Sequence, residues 1–147
     1  MTFEQGPYIQ AAALCEQIIE DKTGVLSLIR IVDTVTHTVA SPDAPSEMPP
    51  VTYPMKMVIM LKSGRARGRH ELKIVPEMPS GELKQPLVQS LQMEGEERGA
   101  NHIINMFFTF TMEGLYWFNV YLDDSLLTRI PLRTKYNRVV TPAPPLR

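Results

Sequence analysis

Three consecutive segments near the end of the chain place apolar residues at every second position, and this pattern constrains the fold most. Because neighbouring side chains of a β-strand point to opposite faces, a period of two buries one face and leaves the other in water. Gly114 and the pair Asp123 and Asp124 stand where turns are needed. The segments therefore predict three consecutive strands with one shared core face. Its even-numbered positions are Ile104, Met106, Phe108, Phe110 and Met112, then Tyr116, Phe118, Val120 and Leu122, then Leu126, Thr128, Ile130 and Leu132.

Shorter segments elsewhere bring the expected number of strands to seven or eight. Residues 51–61 alternate cleanly, 25–39 are rich in β-branched residues, and 70–75 and 87–93 have the length of short strands. The glycine-containing segment 63–68 and the charged segment 94–99 are expected to be loops. The spacing of apolar residues in 8–20 fits either a strand or a helix. With turns at short spacing, the chain is predicted to be an all-β, two-sheet immunoglobulin-like β-sandwich of mostly antiparallel strands. A closed β-barrel is the alternative.

The prolines divide the chain into a domain and a tail. Most of the thirteen prolines fall within residues 40–54 or 142–145. Proline cannot donate a hydrogen bond to a sheet, so both clusters are predicted to lie outside central strands. The chain of 147 residues is long enough for one domain with a real core. We expect a single domain over 1–140 with a Pro-rich loop at 40–54, and a disordered Pro-rich tail at 141–147.

Charge and cysteine content narrow the class of protein. A net charge of −1 argues against a general polyanion binder. The only cysteine, Cys15, cannot form an internal disulfide, and its apolar surroundings favour a buried, inert thiol. The first residues lack the basic region of a signal peptide, and no apolar segment approaches the roughly 20 residues that a membrane helix needs. We therefore expect a cytoplasmic protein without a membrane partner.

No motif in the chain predicts catalysis or a cofactor. His37, His70 and His102 lack partners at the spacing of metal ligands. Residues 63–68 lack the Gly-Lys-Ser/Thr ending of a phosphate loop, and the Gly-x-Ser-x-Gly elbow of hydrolases does not occur. We predict no catalytic residue, no metal site and no cofactor. An enzyme whose site is assembled across loops around His70 or His102 is kept as an alternative.

One short region concentrates basic residues. Arginines at alternate positions would line one side of an extended hairpin, whose tip could hold phosphate or a nucleic-acid backbone. An exposed loop that keeps a hairpin edge soluble is favoured over this function. Nucleic-acid binding also lacks interleaved aromatic residues here. The candidate polyanion site consists of Lys62, Arg65, Arg67, Arg69, His70 and Lys73.

Three aromatic residues occupy positions opposite the predicted core face. Phe107, Trp117 and Tyr121 are odd-numbered, so they would form a second apolar face on the closing strands. Such a face is covered either by the chain itself, for which the Pro-rich loop is a candidate, or by another protein or a second copy. These three residues are the candidate interface.

The closing and opening strands together resemble a known family. Gly-Leu-Tyr-Trp-Phe-Asn-Val-Tyr-Leu-Asp at 114–123 is followed by Leu127 and by Ile-Pro-Leu-Arg-Thr at 130–134, a recurrent closing hairpin. The opening has Ala-Leu-Cys at 13–15, Gly24 and Leu-Ser-Leu-Ile at 26–29. The combination resembles a family of bacterial β-sandwich domains of unknown function over residues 8–136. The resemblance implies the fold, and no activity or site residue.

Our leading hypothesis from the sequence is a non-catalytic protein-interaction or assembly module that binds a protein partner or itself. The second hypothesis is an accessory nucleic-acid or phosphate-binding protein that uses residues 62–73. The third is the enzyme with a loop-assembled site. The odd-numbered aromatic residues distinguish the first hypothesis from the other two.

Overall fold

The computed structural model describes residues 5–140, which form seven β-strands and no helix. None of these residues lies in a helix long and apolar enough to cross a membrane. The segment whose spacing fits both a strand and a helix is strand β1. The predicted disordered tail, 141–147, lies outside the described residues. The strands are β1 (Tyr8–Glu20), β2 (Leu26–Ile31), β3 (Thr34–Ala40), β4 (Val51–Glu77), β5 (Leu87–Phe110), β6 (Gly114–Leu122) and β7 (Ser125–Val139).

A single long hairpin, β4 with β5, supplies strands to both layers of the fold. The two strands pair antiparallel from Val51 with Phe110 to Ile74 with Leu87. The pairing shifts register twice between residues 62 and 67, where extra residues form β-bulges. Gly64 and Gly95 lie there at φ +59° and +94°, in a region that side chains with a Cβ rarely occupy. These bulges bend both strands, so each half of the hairpin belongs to a different layer.

The neighbours of the hairpin define the two layers. In the first layer, the order is β2, β1, the first half of β4 (51–62) and the second half of β5 (99–110). In the second layer, the first half of β5 and the second half of β4 are followed by β6, β7 and β3. All pairings are antiparallel except that of β3 with β7, which is parallel.

Aromatic rings from the two layers meet in the core. The ring centroid of Phe108 lies 5.2 Å from that of Phe118, and the centroid of Phe110 lies 5.0 Å from that of Tyr116, both edge to face. Among the described residues, the strands at the two ends of the sheet order, β2 and β3, do not pair with each other. The predicted two-sheet β-sandwich is therefore confirmed, with seven strands, and the closed barrel is wrong.

The predicted core face is confirmed apart from its ends. The even-numbered side chains from Ile104 to Leu122 are buried, except that Phe108 is half-buried and Met112, after β5, is exposed. The prediction that Leu126 faces the core is wrong. A register shift between Val120 and Tyr121 pairs Tyr121 with Leu126 and turns the Leu126 side chain outward, where it is 52% exposed. A shift of one residue reverses the faces of a strand, so Leu127 packs against the core instead.

Three predicted boundaries need correction. The expected loops at 63–68 and 94–99 are the bulged bends of β4 and β5, because their glycines allow the ladder to turn without ending. The β-branched segment 25–39 forms two strands in different layers, since the chain leaves the first layer after Ile31. The Pro-rich loop is shorter than expected, and its last part, Val51 to Pro54, belongs to β4.

The remaining Pro-rich loop, 41–50, is held against β7. The Tyr136 hydroxyl donates to the Pro45 carbonyl at 2.7 Å, and Nε of Arg138 donates to the Ala44 carbonyl at 2.8 Å. Ala44 and Met48 are buried. The loop therefore closes one end of the sandwich and does not cover the aromatic residues of the candidate interface.

Two phenylalanine truncations should have unequal effects on stability. Phe118 is fully buried between the layers, so Phe118→Ala should lower the free energy of unfolding by about 3–5 kcal/mol. Phe107 is 79% exposed on the face of β5 that points away from the core, so Phe107→Ala should change the free energy of unfolding by less than about 0.5 kcal/mol. Urea unfolding of both variants measures the difference, and equal losses would contradict the assignment of faces.

Candidate functional site

The outer surface of the first layer carries the two most exposed apolar side chains of the strands, Phe107 and Ile31. Paired residues on adjacent strands point to the same face. The ladders therefore place side chains from β2, β1, β4 and β5 in rows across this surface. We call this surface the outer face of the first layer. Its rows are Ile31, Cys15, Lys56 and Asn105; Ala13, Val58 and Ile103; Ala11, Met60 and Asn101; Ile29 and Gln17; and Pro54 and Phe107.

Large apolar side chains stand at both edges of this surface around a covered centre. Phe107 is 79% exposed and Ile31 is 66% exposed, and they lie on the strands at opposite edges of the layer. Ile103 and Ile29 are also exposed, whereas Val58 in the middle is fully buried. Single exposed apolar residues are ordinary, but a group of them on one face marks a contact surface in soluble proteins.

A shallow depression of about 740 Å³ lies beside Phe107. It forms where the ladder between β1 and β4 ends at Cys15 and Lys56, so the start of β4 continues without β1 beside it. Glu16 at this end is paired with Arg30 at 2.9 Å. The depression is lined by Glu16, Tyr53, Pro54, Met55, Lys56, Asn105, Met106 and Phe107.

Cys15 lies within this face but offers no reactive thiol. It is fully buried, and burial raises the pKa of its thiol, an effect that the nearby Lys56 ammonium partly opposes. A thiol that stays protonated is a poor nucleophile and metal ligand. The predicted buried thiol is in place, and its role is packing.

The outer face of the second layer is different, because its aromatic residues are covered by charged side chains. The Arg129 guanidinium lies 4.2 Å from the ring centroid of Trp117, and it bonds Asn119 at 2.7 Å and Glu77 at 3.1 Å. The Lys73 ammonium lies 5.3 Å from the ring centroid of Tyr121. Cation–π contacts of this kind hold the cations over the rings.

The predicted single interface of Phe107, Trp117 and Tyr121 is therefore divided. Phe107 lies in the half of β5 that belongs to the first layer, whereas Trp117 and Tyr121 lie on β6 in the second. On each strand the odd-numbered residues face away from the core, as predicted. Because the hairpin bends, however, the second half of β5 and strand β6 belong to different layers, so these residues lie on opposite sides of the molecule. Ile29 and Ile31 were not part of the predicted interface, although their period of two in β2 was a signal that could have identified them.

The basic residues of the candidate polyanion site lie along β4 and not at a hairpin tip. Arg65, Arg67 and Arg69 are exposed at alternate positions, as predicted, but Arg65 and Arg67 lie within the bulged bend and Arg69 follows it. The strand opposite carries carboxylates: Arg67 pairs with Glu96 at 3.6 Å, and Gly95 leaves the space in which its guanidinium lies. The local charge is thus partly neutralised within the fold.

Two other members of this site, His70 and Lys73, are paired with the turn between β6 and β7. Lys73 bonds Asp124 at 2.9 Å. Nε2 of His70 donates to the Arg67 carbonyl at 2.9 Å, and Nδ1 contacts the Asp123 carboxylate. Because both acceptors need a proton from the ring, the imidazolium is favoured, and the bond to Asp123 raises the pKa of His70. A ring that donates from both nitrogens is not a general base or metal ligand.

His102 is also engaged, but as a neutral ring. It lies on the core side of β5, and Nδ1 donates to Oε1 of Gln89 on the other half of the same strand at 2.8 Å. Burial lowers the pKa of His102. His37 stacks on Tyr136 elsewhere. Across residues 5–140, no three His, Cys, Asp or Glu side chains are grouped so that they could hold a metal ion.

A family model matches residues 10–135, and it describes a family of unknown function, DUF6941. Since the match spans most of the chain, the chain belongs to this family. The resemblance seen in the opening and closing strands, to a family of β-sandwich domains without an assigned function, is thereby confirmed. A search of the curated proteins finds no match.

Two solved structures are similar in fold. One is an immunoglobulin-like protein from Pseudomonas aeruginosa, at 13% sequence identity and a TM-score of 0.45, with 90% of this chain and 98% of that chain covered. The other is the CARDB domain of a Pyrococcus furiosus protein in complex with di-metal ions, at 16% identity and a TM-score of 0.41, with 91% and 92% covered.

The two engaged histidines predict opposite effects of pH on stability. Folding raises the pKa of His70 above 6.5. The contribution of His70 to stability is therefore complete below pH 6.5 and is lost as the pH rises through the pKa of the folded state. Relative to His70→Gln, the wild type should therefore have its largest advantage in melting temperature near pH 5.5 and a smaller one near pH 9.

For His102 the effect of pH on stability has the opposite sign. The pKa of His102 in the folded state lies below 6.5, so the unfolded chain binds the proton more readily. The advantage of the wild type over His102→Gln should shrink as the pH falls. Thermal melts of both variants across this range provide the measurement. Parallel trends for the two substitutions would contradict the assigned protonation states.

Proposed function

We propose that this member of a family of unknown function is a non-catalytic domain that binds another protein through the outer face of the first layer. The observation that carries the proposal is the exposure of Ile29, Ile31, Ile103 and Phe107 around the buried Val58. Fully burying a side chain of this size contributes about 1.5–3 kcal/mol. A partner that covers this face would therefore gain most of its affinity from a few side chains.

Polar residues between the apolar ones give the surface its specificity. Asn101, Asn105 and Gln17 are exposed on the same face and offer amide donors and acceptors. Lys56 and Glu16 bring one charge of each sign to the depression beside Phe107. An apolar centre with polar groups around it is the usual composition of a protein interface. The partner we propose presents apolar side chains and hydrogen-bonding groups, without a strong net charge.

The contrast between the two outer faces supports the choice of surface. On the second layer, Arg129 and Lys73 already occupy the rings of Trp117 and Tyr121. A partner there would first have to displace these cations. The hydrogen bonds of His70 support a non-catalytic role, because both of its ring nitrogens are donors and neither can take up a proton. A cytoplasmic location is part of the same proposal.

Site-specific photocrosslinking in the source organism tests the proposal. A photoreactive phenylalanine analogue is placed at Ile31 or Phe107, on the two edges of the proposed surface, and at Leu126, which is 52% exposed on the second layer, as a matched control. We expect the same discrete protein, other than a second copy of this chain, to be captured from Ile31 and Phe107 and not from Leu126.

Purified protein then tests whether that contact is direct. Ile31→Glu and Phe107→Glu should each weaken binding of the captured protein by roughly tenfold or more, since a charge on an apolar interface costs more than about 1.4 kcal/mol. Leu126→Glu should leave binding unchanged. Capture from no position, or equal capture from all three, would overturn the proposal.

The distribution of charge also predicts how the protein behaves toward nucleic acids. Because Arg67, His70 and Lys73 have acidic partners, we expect no sequence-specific binding, and at most weak binding that disappears with salt. Titration with single- and double-stranded DNA and RNA at ~50 mM and ~150 mM salt provides the measurement. Tight binding that survives at the higher salt would instead support the polyanion hypothesis.

A further inference from the structure

The second half of β5, residues 99–110, is a sheet edge that lacks the usual protection. It pairs with β4 on one side, and no residue among 5–140 pairs with it on the other. Its sequence, Gly-Ala-Asn-His-Ile-Ile-Asn-Met-Phe-Phe-Thr-Phe, contains no proline and no Asp, Glu, Lys or Arg. Exposed edges are normally blunted by such residues or by short length, since their free N–H and C=O groups can pair with another strand.

The opposite edge of the first layer, strand β2, is protected. The edge strand β2 has only six residues. Near its end, Arg30 has a φ of +56°, which departs from the extended backbone of a regular strand. Charged residues at the bend of β5, Glu94 and 96–98, separate the second half of the strand from the first. The uncharged edge is thus bounded at one end and is long enough for eleven or twelve residues of pairing.

We propose that this edge pairs with the same edge of a second copy, antiparallel, about a two-fold axis at Asn105. Residues equally distant from Asn105 then face each other. On the outer face, Ile103 meets Phe107 of the second copy, and Asn101 meets Thr109 of the second copy. On the core face, Ile104 meets Met106 of the second copy. Of the five pairs between Ala100 and Phe110, four join apolar with apolar or polar with polar residues, and the fifth sets His102 against Phe108 of the second copy.

The register follows from the sequence of the edge. Paired strands place facing side chains on the same face, so the axis must pass through a residue and not between two residues. An axis at Ile104 would set Asn105 against Ile103, and one at Met106 would set Asn105 against Phe107. The axis at Asn105 avoids these mismatches and uses the whole edge from Ala100 to Phe110.

The result is a continuous eight-stranded layer, whose two outer faces lie on the same side. The inference rests on the proposed function only in that Phe107 belongs both to the dimer edge and to the surface proposed to bind another protein. Ile31 lies on the far edge of the layer and remains free for that different protein. Asn105 is exposed and makes the central pair with its own copy, so its substitution changes the dimer without disturbing the core.

Charge complementation tests the axis directly. Asn105→Lys and Asn105→Asp each place like charges opposite one another in the dimer. The dimer dissociation constant of each variant should therefore be roughly tenfold or more above that of the wild type. An equimolar mixture of the two variants should form a heterodimer at wild-type concentrations. Sedimentation velocity is the measurement. Thr38→Lys, on the edge strand β3, is the matched control and should leave dimerisation unchanged.

Disulfide crosslinking provides a second measurement of the register. Asn105→Cys should crosslink to itself under mild oxidation, because facing Cα atoms in a sheet lie within the range of a disulfide. Asn101→Cys alone should not crosslink, but it should crosslink in a mixture with Thr109→Cys. The buried Cys15 does not compete.

The outcomes separate this inference from the proposed function. A wild type that stays monomeric at its highest soluble concentration, or a dimer that both Asn105 variants leave intact, would overturn the inference. Capture of a different protein from Ile31 would still support the proposed function in that case. A complemented dimer without any such capture would keep the inference and overturn the proposed function.

Discussion

The rest of the structure depends on the bend that β4 and β5 share. A straight strand of the 27 residues in β4 would be roughly 90 Å long, far more than a domain of this size can contain. The bulges between residues 62 and 67 resolve this conflict by turning the strand without ending its ladder. Gly95 matters on the opposite strand because its φ of +94° is strained for other residues, and because the Arg67 guanidinium occupies the position of a Cβ.

The bend also determines which surfaces are free. One edge of β4 pairs with β1 before the bend and with β6 after it, while the other edge pairs with β5 throughout. As a result, β5 has an open edge in the first layer, and the face beside it carries Phe107 and Ile103. The core-facing rings of Phe108 and Phe110 hold the same strand against the second layer. One strand therefore joins the core to the proposed contact surface.

The sequence predicted what depends on local pattern. The period of two identified the core face from Ile104 to Leu122, because burial on one side of a strand leaves that signal in any sheet. It failed at Leu126, where one bulged residue exchanges the two faces. It also took the glycine-containing bends for loops, since glycine marks bulges and turns alike and only the pairing of the two strands distinguishes them.

The candidate surface was predicted only in part for the same reason. Phe107 was recognised as facing away from the core, but its grouping with Trp117 required knowledge of which layer each strand joins. The ion pairs of His70 and Lys73 with Asp123 and Asp124 join residues about fifty positions apart, and no local pattern encodes them. What the sequence does contain is the uncharged, proline-free run at 99–110, whose meaning appears once its edge is known to be open.

Amide hydrogen exchange across residues 99–110, measured at low and high protein concentration, tests this account of β5 most directly. Half of these amides point away from β4 and should exchange rapidly in dilute protein, while those that bond β4 stay protected. At high concentration the outward-pointing amides should become protected, and those of β3 should not change. Outward-pointing amides that are protected at every concentration, or never protected, would contradict an open edge that pairs with a second copy.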